Sequence, residues 1–299
     1  MDIMRKTELM KANNFILFLI PALIWGSTWF VITFQLGVVD PLVSVVYRFG
    51  LAAIIMLLYC QIRGLNLKYS LKDHLFIAIQ GFFLFGVNYW LVYEAEQYIP
   101  SGLLAVAFST IIFMNIGFGA LFLGRSINTK IVFAALAGLS GTVLIFRSEL
   151  LNMNLDTQTI QGTILAISSV VLASIGNITS ARNSQNNIPV IQANAIGMLY
   201  GCILMFLIAL LLGRPFTFDT SPGYVWSMIY LTLFGSITAF AGYLTLISKI
   251  GADKAAYTLV VIPIIAIAIS VVYEDYVITS VVIIGILLIL GGNILALRK

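Results

Sequence analysis

Charge is scarce in this sequence. Only 9% of its 299 residues are Asp, Glu, Lys or Arg, against 61% apolar. A water-soluble chain of this length needs a far more charged surface, so a soluble fold is excluded and a polytopic membrane protein is indicated. Cysteine is nearly absent too. Cys60 and Cys202 each lie in an apolar stretch without a spacing partner, which excludes a disulfide framework and a thiolate metal site and leaves two inert thiols. Histidine occurs once, at His74. There is no GxxxxGK(S/T), no HExxH, no Asp-rich prenyltransferase motif and no Ser-His-Asp arrangement. An enzyme is therefore not expected, and no catalytic residue, metal ligand or cofactor is assigned. The longest connections run to about a dozen residues, which leaves little room for the soluble domain that a membrane scaffold or receptor calls for.

Long apolar runs dominate instead. They fall at 15–34, 41–61, 73–93, 100–121, 129–147, 160–180, 190–212, 224–246, 254–273 and 277–297. Each approximates the roughly twenty residues that a helix needs to cross about 30 Å of hydrocarbon. The run at 15–34 is too long for a signal peptide and lacks a cleavage site. Ten spans place both termini on one side of the bilayer. Thirteen of the sixteen basic residues then share that side, and eight of the twelve acids lie on the other. Because cytoplasmic loops retain Lys and Arg, both termini are expected in the cytoplasm. The net charge of +4 thus reflects membrane orientation, and no nucleic-acid partner is expected.

The two halves echo each other at an offset of about 150 residues. "LSGTVLIFR" at 139–147 returns as "LGGNILALR" at 290–298, and "LFG" at 84–86 returns at 233–235. Both members of each pair hold the same place in a five-span unit. An odd number of spans per unit inverts the second copy, as in many secondary transporters, whose substrate sites lie near the midplane between repeats. The expected architecture is all-α, with ten transmembrane helices as two inverted five-helix repeats. Its divisions are a cytoplasmic segment 1–14, a first repeat 15–148, an external linker 149–159 and a second repeat 160–299.

"IWGSTWFVI" in span one, "YRFGLAA" at the start of span two, "IPSGLLAVAFS" entering span four and "AAYTLVVIPIIAIAISVVYED" in span nine together resemble the EamA-type branch of the drug/metabolite transporter superfamily. The resemblance covers nearly the whole chain. It implies a ten-helix, two-repeat carrier of small metabolites, frequently an exporter of amino acids or related compounds. This chain has Ile112 where the family often has proline in span four, and Gly124-Arg125 where a Gly-Glu pair is common.

Polar residues deep in a span should face a cavity or another helix. Trp25 and Trp29 share one helical face, with Ser27 and Thr28 beside them. They would form aromatic walls and hydroxyls for a substrate, while Gly26 and Ser27 alternatively mark a close helix contact. Asn88 and Tyr89 are the deep candidates of span three, and Tyr93 is expected in the interfacial belt. Ser109, with Thr110 and Asn115, belongs to span four, where interhelical bonding is an equal reading. Ser174 and Asn177 in span six, Tyr243 in span eight and Tyr257 with Thr258 in span nine complete the expected substrate lining. Pro263 frees the carbonyl of Leu259 and serves as a hinge or as packing. Arg48 is the only basic residue well inside a span. It is close enough to the external end to snorkel, and it could also clamp an anionic group.

No acid lies near the middle of any span, so proton coupling would fall to Glu94, Glu96 or Glu274 nearer the surface. The expected function is export of a small amphipathic metabolite, an amino acid or derivative, by alternating access in a bacterial inner membrane. Its partners are the small-molecule substrate and the lipid bilayer, and a homodimer is left open. The rival reading on the same scaffold is a carrier of nucleotide-sugars, nucleosides or lipid-linked sugars, which calls for several buried basic residues.

Overall fold

The computed structural model describes residues 2–99, 101–152, 156–273 and 278–297, and the regular structure among them is helical. Glu274 and Asp275 of the last connection, residues 153–155 of the expected linker, and Arg298 and Lys299 lie outside the described residues. In chain order the ten spans are Asp2–Thr33, Pro41–Ile62, Leu71–Ala95, Ser101–Leu123 with a break at Thr110, Thr129–Ile145, Thr157–Gln185, Val190–Leu211, Pro222–Ile250, Tyr257–Tyr273 and Ser280–Leu297. Seven helices among the described residues are long and apolar enough to cross a membrane; the fifth, ninth and tenth spans are shorter apolar helices. Span one starts well before its apolar run, because its helix extends back to Asp2.

Local chemistry sets several helix starts. Asp40 accepts from the Leu42 amide ahead of Pro41, Asp156 from Thr159, and Ser221 from Tyr224 ahead of Pro222. Such side chains satisfy amide donors that the first helical turn leaves open. Span four breaks without a proline: the Thr110 hydroxyl donates to the Ala107 carbonyl, and the helix restarts at Ile111. Span four ends at Gly124, whose φ of 63° suits glycine.

The polarity of the bundle is the inverse of a soluble protein's. Leu23, Phe30, Ile54, Leu121, Phe133 and Leu287 are exposed, while Arg48, Asn88, Asn115, Asn177, Asn194 and Ser236 are buried. Hydrocarbon outside the bundle accounts for both halves of that pattern.

Packing follows the repeat. Span two packs on span seven and span five on span ten, each pair made of equivalent helices; the pairing of spans one and eight is mirrored by six and three, and that of one and nine by six and four. Glycines let the central backbones touch. A Cβ on Gly141 would lie 2.5 Å from the Gly285 oxygen, and one on Gly292 would lie 2.7 Å from the Ala134 oxygen. The offset of about 150 residues relates Gly141 to Gly292 and Ala134 to Gly285, so both repeated "LSG/LGG" segments make the same contact from opposite sides. The other repeated signal, "LFG", falls in two π-helical turns, Gly81–Val87 in span three and Leu231–Thr238 in span eight. In the first of them, a Cβ on Gly81 would overlap the Gly197 carbonyl of span seven.

Candidate functional site: a cavity between the repeats

Six spans wall a central cavity: one, three and four from the first repeat, and their equivalents six, eight and nine from the second. About 540 Å³ between them is free of protein atoms, counting space that opens to the surroundings. Small-molecule sites span roughly 300–1,000 Å³. Much of the volume here is narrow crevice between side chains.

Of the residues expected at the site, the structure brings together Trp25, Thr28, Asn88, Tyr89, Asn177 and Tyr243 on the cavity wall, with Trp29 beside them. Trp25 packs edge-on against Phe240 and Tyr243, with ring centroids 5.0 and 5.1 Å away. Trp29 meets Phe108 edge-on at 5.2 Å. Thr28 and Asn177 occupy positions related by the repeat. Three polar atoms on this wall are buried without a hydrogen-bond partner among the described residues: Trp29 Nε1, Asn88 Oδ1 and Asn177 Oδ1. Their amide nitrogens are engaged, Asn88 donating to the Leu84 carbonyl and Asn177 to the Tyr243 hydroxyl at 3.3 Å each. An indole donor and two carbonyl acceptors thus stand unpaired among aromatic rings.

The other expected residues lie elsewhere. Ser27 bonds the Ile24 carbonyl and the Tyr230 hydroxyl, each at 2.7 Å, and a Cβ on neighbouring Gly26 would run into Ile265. "IWGSTWF" therefore divides by face: its indoles and Thr28 serve the cavity, while Gly26 and Ser27 serve helix packing. Ser109 donates to Thr142. Ser174 donates to Asn115 Oδ1 at 2.7 Å, and Asn115 in turn donates to the Ala252 carbonyl. Tyr257 donates to the Ile131 carbonyl at 2.8 Å. Pro263 is buried within its helix, next to the lining residue Ile262.

Arg48 does not snorkel. It is fully buried, donating from Nε to Ser236 Oγ at 2.9 Å and from Nη1 to the Tyr93 hydroxyl at 3.3 Å, with its guanidinium 4.6 Å from the Tyr89 ring. It stands behind the Tyr89 wall, outside the cavity lining. Tyr93, expected in the interfacial belt, is likewise fully buried because it receives Arg48.

Sequence reasoning missed much of the apolar wall, including Leu84, Phe108, Ile111, Phe240 and Leu259. In an apolar span, such residues look the same whether they face lipid or a cavity. A signal did exist for Phe240, three residues before Tyr243 and so on the same helical face.

Comparison with known proteins agrees with this architecture. The profile of the EamA-like transporter family matches residues 14–147 and again residues 160–298. The chain belongs to that family. It is a multi-pass membrane transporter of the drug/metabolite transporter superfamily, carrying the EamA unit twice. Relatives include the protein PagO of Salmonella typhimurium, 25% identical over 89% of this chain and 86% of its own length. The inner membrane transporter YedA of Escherichia coli is 30% identical over 82% of this chain and 78% of its own. The transporter YoaV of Bacillus subtilis is 24% identical over 90% and 91%. A crystal structure 18% identical in sequence superposes with a TM-score of 0.77 over 96% of both chains, so the EamA fold seen here matches an experimental one.

Proposed function

We propose that this EamA transporter is a secondary carrier, not an enzyme, that exports a small amphipathic metabolite, an amino acid or derivative, from a bacterial cytoplasm by alternating access. The observation that carries the reading is the central cavity, walled by three spans of each repeat and holding one unpaired donor and two unpaired acceptors among aromatic rings. Apolar and aromatic walls match a carbon skeleton, and the unpaired groups gain partners when a polar head arrives. Because the cavity is narrow and the six walling helices are equivalent in pairs, rocking one repeat against the other would open it toward either side in turn. Trp25, Thr28, Trp29, Asn88, Tyr89, Asn177 and Tyr243 are the substrate-contacting residues of this reading, and Pro263 is a hinge beside them. The basic residues clustered near the terminal side support cytoplasmic termini.

A nucleotide-sugar carrier would set cations against phosphates. The described cavity lining contains no Lys or Arg, which favours the amino-acid class. The test is efflux from liposomes holding the purified protein and a panel of labelled amino acids. Export of at least one member above empty vesicles is expected; no transport of any member would remove that substrate class.

A further inference from the structure

The cavity leaves one buried cluster unused. Arg48 is the only charged residue of span two. Its guanidinium ties Tyr93 of the first repeat to Ser236 in the π-helical turn of the second, while its Nη2 has no partner among the described residues. One helical turn beyond Tyr93 stands Glu96, both of whose carboxyl oxygens are buried without a hydrogen-bond donor among the described residues. Arg48 and Glu96 thus share a neighbour: Nη1 of Arg48 donates to the Tyr93 hydroxyl, and Glu96 caps the helix that carries Tyr93. The ion pairs among the described residues are Arg125–Asp253, Arg182–Asp73 and Arg214–Asp40, so Arg48 and Glu96 form none.

Burial without donors disfavours the ionised form of a carboxyl group. Once ionised, the same group is the strongest acceptor a guanidinium can meet. Loss of a proton from Glu96 would therefore offer Arg48 a stronger acceptor than the Ser236 hydroxyl. Little else competes. Tyr93 lies on the same helix, Tyr89 lies under the guanidinium, and Tyr224 of span eight borders the cluster through its bond to Ser44. Glu94 on the same helix is engaged by Trp90 and Gln97. Span six packs on this stretch of span three, and its only charged residue is Arg182 in its last turn. The segments Ser101–Ser109 and Pro222–Tyr230, and the π-turn that bears Ser236, carry no charged residue.

We propose that Glu96 is a proton-binding site that acts through Arg48 as a latch between the repeats. With the proton on, Arg48 holds Ser236 and ties span eight to spans two and three. When the O–H bond of Glu96 breaks and the proton passes to water, the carboxylate draws the guanidinium away from Ser236 and span eight is released. Proton binding of this kind would couple transport to a proton gradient. That purpose rests on the transport reading, whereas the latch is tested on the substrate-free protein.

Gly235, the neighbour of Ser236, accepts the indole N–H of Trp25, so release of Ser236 reports at Trp25. A variant with Trp29, Trp90 and Trp226 changed to Phe keeps Trp25 as the sole indole. Its fluorescence is followed from about pH 5 to about pH 9, a range that brackets a raised carboxyl, beside infrared detection of the protonated-carboxyl C=O band. The expected result is one fluorescence transition whose midpoint matches loss of the band. Glu96→Gln abolishes both and holds the low-pH signal throughout, Glu96→Asp restores a transition at a shifted midpoint, and Ser236→Ala keeps the band while losing most of the fluorescence change. No transition in the parent, or an unchanged one in Glu96→Gln, overturns the latch. Should Glu96→Gln fail to fold, a parent infrared band that does not titrate with the fluorescence overturns it equally. Absent efflux of amino acids would remove the substrate class and leave these outcomes untouched.

Discussion

The indole N–H of Trp25 in span one donates to the backbone oxygen of Gly235 in span eight at 3.0 Å. The π-helical turn at Leu231–Thr238 departs from the regular α-helical bonding pattern, and one of its carbonyls serves a residue 210 positions away in sequence. Trp25 is thus both cavity wall and fastener between repeats. Trp25→Phe keeps an aromatic ring against Phe240 and Tyr243 but strands the Gly235 oxygen. It is expected to cost ~1–2 kcal/mol of stability, read as a lower melting temperature in detergent.

Trp29 makes the contrasting case. Its Nε1 has no partner among the described residues, so Trp29→Phe loses no hydrogen bond and should lower the melting temperature less than Trp25→Phe. If that donor meets substrate, KM for efflux rises about tenfold, equivalent to ~1.4 kcal/mol. Paired melting and efflux curves for Trp25→Phe and Trp29→Phe separate fastening from substrate contact; an unchanged KM in Trp29→Phe would remove the indole from the site.

Gly141 and Gly117 test the backbone contacts of the core. Gly141→Ala drives a methyl into the Gly285 carbonyl and forces spans five and ten apart, at an expected cost of about 1–3 kcal/mol. Gly117 is an exposed helical glycine whose added Cβ would meet nothing within 4 Å. Gly117→Ala should therefore stabilise by up to about 1 kcal/mol through helix propensity. Thermal melting of the two variants should move in opposite directions.

The unusual Gly124-Arg125 pair gains a reason from its partner. Arg125 Nη1 lies 3.3 Å from Asp253 Oδ1, with both side chains partly exposed. Such a pair contributes ~0–1 kcal/mol. Arg125→Glu should destabilise more than Arg125→Ala because it sets two acids together. Adding Asp253→Arg should recover most of the loss, and a double-mutant cycle in thermal stability measures the coupling.

Pro263 lacks the amide that would bond the Leu259 carbonyl. Pro263→Ala completes that bond. If the residue hinges span nine, kcat for efflux falls several-fold with no loss of melting temperature. An unchanged kcat with altered stability would assign Pro263 to packing.

Several features are legible in the sequence. Twenty-residue apolar runs have one low-energy solution in hydrocarbon, the helix, so the number and placement of spans follow from composition alone. The inverted repeat was legible in "LSG/LGG" and "LFG" because close backbone contacts and π-helical turns restrict residue choice at both copies. Mid-span polarity picked out Trp25, Thr28, Asn88, Tyr89, Asn177 and Tyr243. It equally picked out Ser27, Ser109, Ser174 and Tyr257, since a hydroxyl bonded to another helix and one facing a cavity are alike in sequence.

The helices, their order and the symmetry between halves follow from residue order, because these depend on local hydrogen bonding and on which residues hydrocarbon rejects. Which polar atoms find partners emerges from packing. It turned Arg48 inward to Ser236 and Tyr93, sealed Glu96 without a donor and left Trp29, Asn88 and Asn177 unsatisfied around a shared cavity. Hydrogen-bond satisfaction is a relation between residues far apart in the chain, and it acquires a value only when the helices have packed.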